Sequence, residues 1–185
     1  MKILVVDDDP DFLAVLLNVL NELGFGDVVS ATSGASALEM MSDMPSPVDC
    51  FILDIQMPEM NGIELTRRIR ALGTYDETPI VMNTVMSDRK HIDAAFQAGA
   101  TDYLTKPIDV VEIQARLGVI SSLVKERHSA RQPDGTNVSA IVAPSYGFLD
   151  SIPLKHVSGA MGFFAMKHYL KTLGIFRAMT VSAVG

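Results

Sequence analysis

Ile3-Leu4-Val5-Val6-Asp7-Asp8-Asp9-Pro10 is the stretch whose reading decides the fold. Four consecutive apolar residues stop abruptly at acid. Unbroken rather than alternating apolarity is what a strand covered on both faces requires. Asp9 before Pro10 then reads as a helix N-cap followed by proline at the first helical position. Phe12, Val15, Leu16, Val19, Leu20 and Leu23 recur at helical spacing until Gly24 stops the pattern, so a helix follows the strand almost at once.

Working outward, the same unit repeats. Val28–Ala31 leads to a helix around Ala35–Met41, broken by Met44-Pro45-Ser46-Pro47. Cys50-Phe51-Ile52-Leu53 closes again on an acid, Asp54, and Asn61-Gly62 opens a helix carrying Ile63, Leu65, Ile69 and Leu72. Pro79–Met82 is a fourth strand ending at Asn83-Thr84, followed by a helix over about Asp88–Ala98 that stops at Gly99. A short strand at Tyr103-Leu104 and a helix over about Val110–Lys125 complete five repeats. This alternation predicts an α/β fold, a doubly wound five-stranded parallel sheet with right-handed crossovers and helices on both faces.

In open sheets of this kind ligands sit beyond the carboxyl ends of the strands. Asp7 and Asp8 follow the first strand, Asp54 the third, Thr84 the fourth and Lys106 the fifth, so these groups are predicted to converge on one crevice. Taken singly, an acid pair serves as helix N-terminal charge, a threonine as a strand-end cap and a lysine as solvated surface. Taken together they make a site. Three carboxylates in one pocket raise each other's pKa unless a cation compensates. Hard oxygen ligands at a shallow, hydrated position suit Mg²⁺, and Lys106 adds a second positive charge to balance an incoming phosphoryl group. Phosphoryl transfer is mostly positioning and charge neutralisation, so a carboxylate nucleophile, a metal and a lysine suffice.

Composition agrees with a globular chain. At 185 residues and 48% hydrophobic, it has material for one domain plus an appendage. A single cysteine, Cys50, excludes an internal disulfide framework and Cys-rich metal sites. No signal peptide and no apolar run long enough to span a bilayer is present, so a reduced, cytoplasmic protein is expected. Residues 1–125 carry 9 Lys+Arg and 19 Asp+Glu, whereas residues 126–185 carry 6 and 3. The acidic first part argues against nucleic-acid binding there, while the basic tail leaves DNA binding, or contact with the acidic part, open.

Val5-Val6-Asp7-Asp8-Asp9-Pro10, Leu53-Asp54-Ile55-Gln56-Met57-Pro58-Glu59-Met60-Asn61-Gly62, Pro79-Ile80-Val81-Met82-Asn83-Thr84 and Asp102-Tyr103-Leu104-Thr105-Lys106-Pro107 together resemble the receiver domain of bacterial two-component response regulators. The resemblance covers about residues 1–125. It implies the flavodoxin-like strand order 2-1-3-4-5. It implies Asp54 as the phosphoacceptor for a sensor histidine kinase or a histidine phosphotransfer protein. It also implies Mg²⁺ bound directly by Asp8, mainly through water by Asp7, by the Asp54 side chain and by the Gln56 carbonyl. Lys106 would bind a phosphoryl oxygen, and the Lys106-Pro107 bond would be cis. On phosphorylation Thr84 would move toward the new oxygens and Tyr103 would turn inward, changing the face of the fourth helix, fifth strand and fifth helix. That face commonly pairs or docks in the family, so a homodimer is one expectation. The resemblance thus implies a phosphoacceptor switch rather than a metabolic enzyme.

Val85 departs from the family pattern, which usually has Ala, Gly or Ser after the switch threonine. A branched side chain there should narrow access for hydrolytic water and slow turnover; a neutral packing variant is the alternative. Met86 reads as a gap-filling residue or a partner contact. Beyond Lys125, residues 126–139 read as a linker and residues 140–185 as a short basic extension. Ala140-Ile141-Val142-Ala143 fits a short strand. Over Ala160–Leu173, Phe163, Met166, Tyr169, Leu170 and Leu173 fall on one helical side opposite Lys167, His168 and Lys171. Such a basic amphipathic helix can bind another helix, its own receiver or an anionic surface. His128, His156 and His168 lack a tight ligand spacing, no helix-turn-helix pattern is evident, and the apolar ending Met179–Gly185 suggests a fragment of a longer chain. A DNA-binding regulator with a divergent or truncated output is the alternative function.

Overall fold

The computed structural model describes residues 1–85 and 89–131. Five strand–helix units follow in order: β1 (Lys2–Val6), α1 (Pro10–Glu22), β2 (Asp27–Ala31), α2 (Gly34–Asp43), β3 (Cys50–Asp54), α3 (Gly62–Ala71), β4 (Ile80–Thr84), α4 (Arg89–Ala98), β5 (Asp102–Thr105) and α5 (Val110–Arg131). The strands form one parallel sheet in the order β2-β1-β3-β4-β5, as the resemblance implies. Chain direction across the sheet reverses between β1 and β3. There the connections leave on opposite faces and open a crevice at the strand ends.

The apolar runs are continuous because both faces are covered. Ile3 and Val5 pack with Leu13, Leu16 and Leu20 of α1 and with Ile113, Leu117, Ile120 and Val124 of α5. Leu4 and Val6 point the other way, into a layer with Ala37 and Met41 of α2, Ile63, Leu65 and Ile69 of α3, and Ala95 and Ala98 of α4. Alternate residues of one strand thus feed two separate cores. Asp9 caps α1 as its position before Pro10 predicts, and side chains cap α2 and α3 in the same way. Asp9 accepts from the Asp11 and Phe12 N–H groups, Ser33 from Ser36, and Asn61 from Glu64.

Arg70, on α3, ties the far side of this layer together. Its guanidinium donates to the carbonyl of Gly99 at 2.7 and 3.1 Å, to that of Thr78 at 2.8 Å, and to that of Tyr75. Burial pulls its pKa down to about 10, with the positive charge of Arg127 adding to the shift and Asp76 opposing it.

Several boundaries differ from the expected ones, and those of three elements do so for a clear physical reason. β4 includes Asn83 and Thr84, because both are buried and paired in register with Leu104 and Thr105. β5 is four residues rather than two for the same pairing reason. α5 continues six residues past Lys125, through Arg131. The polar composition after Lys125 suggests a linker, but side chains there reach back to the body. Arg127 donates to the Glu77 carbonyl, and His128 Nε2 lies 3.0 Å from Asp49 Oδ1. The rest of the expected linker to residue 139, the strand at 140–143, the amphipathic stretch at 160–173 and Met86 lie outside the described residues. The DNA-binding alternative rests on those residues. Among the described residues no helix is long and apolar enough to cross a membrane.

Candidate functional site

β1 and β3 deliver their acids to the same edge. Asp7 follows the last residue of β1 and is 1% exposed, whereas Asp54 is the last residue of β3 and is 4% exposed. Asp8 is exposed beside them, and carboxylate oxygens of Asp7, Asp8 and Asp54 all lie within 4.8 Å of one another. Two backbone groups fix the orientation. The Asp9 N–H donates to Asp7 Oδ1 at 3.1 Å, and the Gln56 N–H donates to Asp54 Oδ2 at 3.0 Å.

Lys106 enters from the end of β5, just before a cis peptide bond to Pro107. Its N–H donates to the Thr84 carbonyl at 2.8 Å, which anchors the loop to the end of β4. Its ammonium sits 2.7 Å from Asp7 Oδ2 and 3.1 Å from Asp54 Oδ1. The Phe12 ring of α1 lies beneath it, with the centroid 4.2 Å from Nζ. Thr84 is fully buried at the end of β4. Tyr103 is half-buried one strand further along, packed between Phe96 of α4 and Arg116 of α5.

The electrostatics follow from this placement. Burial pushes the Asp54 carboxyl above its ordinary value, and the charge of Asp7 adds to that; Lys106 and the Gln56 N–H pull it part of the way back. Burial works against the Lys106 ammonium, but its hydrogen bond to Asp7 and the charge of Asp54 outweigh it and hold its pKa above the usual lysine value. Asp54 Oδ1 is therefore held beside a fixed cation, and Asp8 lies open to solvent. Hard carboxylate oxygens from three residues, one of them open to solvent, fit a divalent cation of the Mg²⁺ type.

Asp7, Asp8, Asp54 and Lys106 thus meet as their strand-end positions predict. Thr84 joins them through its carbonyl contact with Lys106, and the Gln56 backbone joins them through Asp54. Two contributors escape the sequence reading. Phe12 fits the apolar stripe of α1, yet its ring faces the ammonium. Gly62 reads only as a helix start, yet a Cβ there would lie 2.1 Å from the Asp54 carbonyl oxygen and 3.0 Å from Met82 Cε. Its N–H donates to the Ile55 carbonyl at 3.1 Å, so α3 begins in direct contact with the strand end carrying Asp54. The Asn-Gly pair after an acid-terminated strand is the only sequence signal for that approach. Val85 is 64% exposed and belongs to neither core, so it is not a packing residue.

Comparison with known proteins gives a consistent picture. The family described as response regulator receiver domain matches residues 3–118. The chemotaxis protein CheY1 of Helicobacter pylori is 35% identical over 120 residues, covering 65% of this chain and 96% of that protein. A response regulator structure from Chloroflexus aurantiacus superposes with a TM-score of 0.61 at 34% identity, over 65% of this chain and 97% of the other. The receiver domain of a sensor histidine kinase from Pseudomonas aeruginosa, with a magnesium ion coordinated in its active site cleft, gives 0.57 at 27% identity, over 67% and 97%.

Proposed function

This chain belongs to the response regulator receiver domain family, and on that premise we propose that it is a Mg²⁺-dependent phosphoacceptor switch in a signalling relay. The observation that carries the reading is the placement of Asp54 Oδ1, an aimed and nearly buried carboxylate oxygen, 3.1 Å from the Lys106 ammonium. A phosphohistidine on a sensor kinase or phosphotransfer protein supplies the phosphoryl group. An Asp54 oxygen forms the new P–O bond as the donor's P–N bond breaks, leaving the histidine nitrogen with the electron pair. Lys106, already between Asp7 and Asp54, offers its ammonium to a phosphoryl oxygen. Asp7, Asp8, Asp54 and the Gln56 carbonyl would hold Mg²⁺, which would supply charge neutralisation there. The site makes a signal rather than a released product.

The phosphoryl group adds about −1.5 to −2 charges and strong acceptor oxygens beside Thr84. Thr84 moves to donate to one of them, and Tyr103 turns into the space it leaves. The surface of α4, β5 and α5 changes with them, and that face serves docking or pairing with a second copy. Asp54→Asn tests the assignment. It is expected to abolish acid-stable, base-labile phosphoryl incorporation from a phosphohistidine donor or from phosphoramidate. Incorporation at the parent level in Asp54→Asn would place the acceptor elsewhere. Lys106→Ala is expected still to accept phosphate while Tyr103 and the α4-β5-α5 face no longer respond.

A further inference from the structure

Tyr103 is held from two sides. The Phe96 ring meets it edge-on, with centroids 6.5 Å apart and planes at 85°. On the α5 side, the Arg116 guanidinium carbon lies 5.5 Å from the Tyr103 ring centre. The guanidinium is itself fixed: Nη1 donates to Asp102 Oδ1 at 2.6 Å, and Nε and Nη2 donate to Glu112 Oε1 at 3.0 and 2.7 Å. Asp102 Oδ1 also accepts from the Tyr103 N–H at 2.8 Å. One carboxylate oxygen therefore anchors both the backbone of the aromatic residue and the cation against its ring. A guanidinium held through all three of its nitrogens keeps its plane, a restraint that the point charge of a lysine cannot reproduce.

We propose that Arg116 is a positioning residue for signal transmission: locked by Asp102 and Glu112, it holds the Tyr103 ring where it stands and so sets how much activation is needed to turn that ring inward. The inference rests on the reading of Thr84 and Tyr103 as the switch pair. On that reading the ring turns inward as the fully buried Thr84 moves, and in doing so it leaves the guanidinium. A contact of this kind corresponds to about a two- to fivefold bias in the equilibrium between the two ring positions.

The experiment uses the full chain labelled with 3-fluorotyrosine, with the Tyr103 fluorine signal identified by its loss in Tyr103→Phe. Beryllofluoride with Mg²⁺ is titrated in as a phosphoryl mimic. Arg116→Met is expected to move the Tyr103 signal toward its activated position before any beryllofluoride is added. It should also lower the half-saturating concentration about two- to fivefold. Arg116→Lys, which keeps the charge but not the fork, should move both in the same direction and carries the test should Arg116→Met not fold. In a Tyr103→Leu background the effect on the midpoint, read from an amide signal next to Asp54, should vanish. Parent-like signals and midpoints in both Arg116 variants, or a midpoint effect undiminished in Tyr103→Leu, would overturn the clamp alone. A Tyr103 signal that ignores beryllofluoride in the parent chain, while amides beside Asp54 respond, would overturn the switch reading and the clamp with it.

Discussion

Lys106 shows how much a single residue's surroundings add to its identity. On β5's exit it could be any solvated lysine. Bound at 2.7 Å to Asp7 and 3.1 Å to Asp54, and set over the Phe12 ring, it is a fixed counter-cation. Val85 presents the opposite case, a side chain 64% exposed immediately after the buried Thr84. It has no core to fill, so the expected role of its branched methyl groups is to narrow access to the phosphoryl site. Val85→Ala is therefore expected to speed loss of the phosphoryl group from Asp54 several-fold while leaving thermal stability unchanged. Following acid-stable phosphate over time checks it, and equal decay in the two proteins would return Val85 to a neutral role. At this scale the acids and the lysine were legible because strand-end position alone locates them. Phe12 was not, because helical periodicity assigns a residue to a face without saying which tertiary neighbour that face meets.

Among the elements, the junction of β3 and α3 is the most constrained. The helix starts against the strand end that carries Asp54, and Gly62 is the point of closest approach. A Cβ 2.1 Å from the Asp54 carbonyl oxygen is a steric overlap with backbone, which no rotamer change relieves. Gly62→Ala is expected to destabilise the fold by about 2–4 kcal/mol and to displace the Asp54 main chain, lowering phosphoryl acceptance as well. Urea denaturation and phosphorylation rate on the same preparation test both halves; a change under about 0.5 kcal/mol would mean the junction adjusts freely. Element types and order were readable across residues 1–85 and 89–131, since unbroken apolar runs and capped helical stripes specify them locally. The ends were less so. Asn83 and Thr84 join β4 because β5 pairs with them, and α5 runs to Arg131 because Arg127 and His128 find partners at Glu77 and Asp49. Such long-range contacts leave no local trace.

For the whole molecule, gathering three carboxylates at one sheet edge links stability to protons and metal. Burial holds the Asp54 carboxyl above its ordinary value of 3.8, so the folded state binds that proton more tightly than the unfolded state does. A group shifted in this direction contributes stability fully below its ordinary value and loses it as pH rises through the raised one. Asp54→Asn is accordingly expected to be more stable than the parent at neutral pH, with the difference closing as pH falls toward 3.8. Lys106, raised above 10.5, contributes below that value and loses its contribution as pH climbs past it, so Lys106→Met should show its largest deficit at neutral pH and a shrinking one in alkali.

Mg²⁺ is expected to act on the same linkage from the other side. A ligand bound by the folded state alone stabilises by about 2.7 kcal/mol at a hundred times its Kd, and for a chain of this size each kcal/mol moves Tm by about 2–4 °C. Saturating Mg²⁺ should thus raise the parent's Tm by about 5–10 °C and Asp8→Ala's hardly at all. Protons compete with the metal for the same oxygens, so the increment should fade as pH drops into the carboxylate range. Thermal melts with and without Mg²⁺ across that range decide it: equal increments in the parent and in Asp8→Ala would place the cation away from the crevice. An increment confined to the parent, and lost with acid, would tie the fold's stability to the three carboxylates that β1 and β3 bring together.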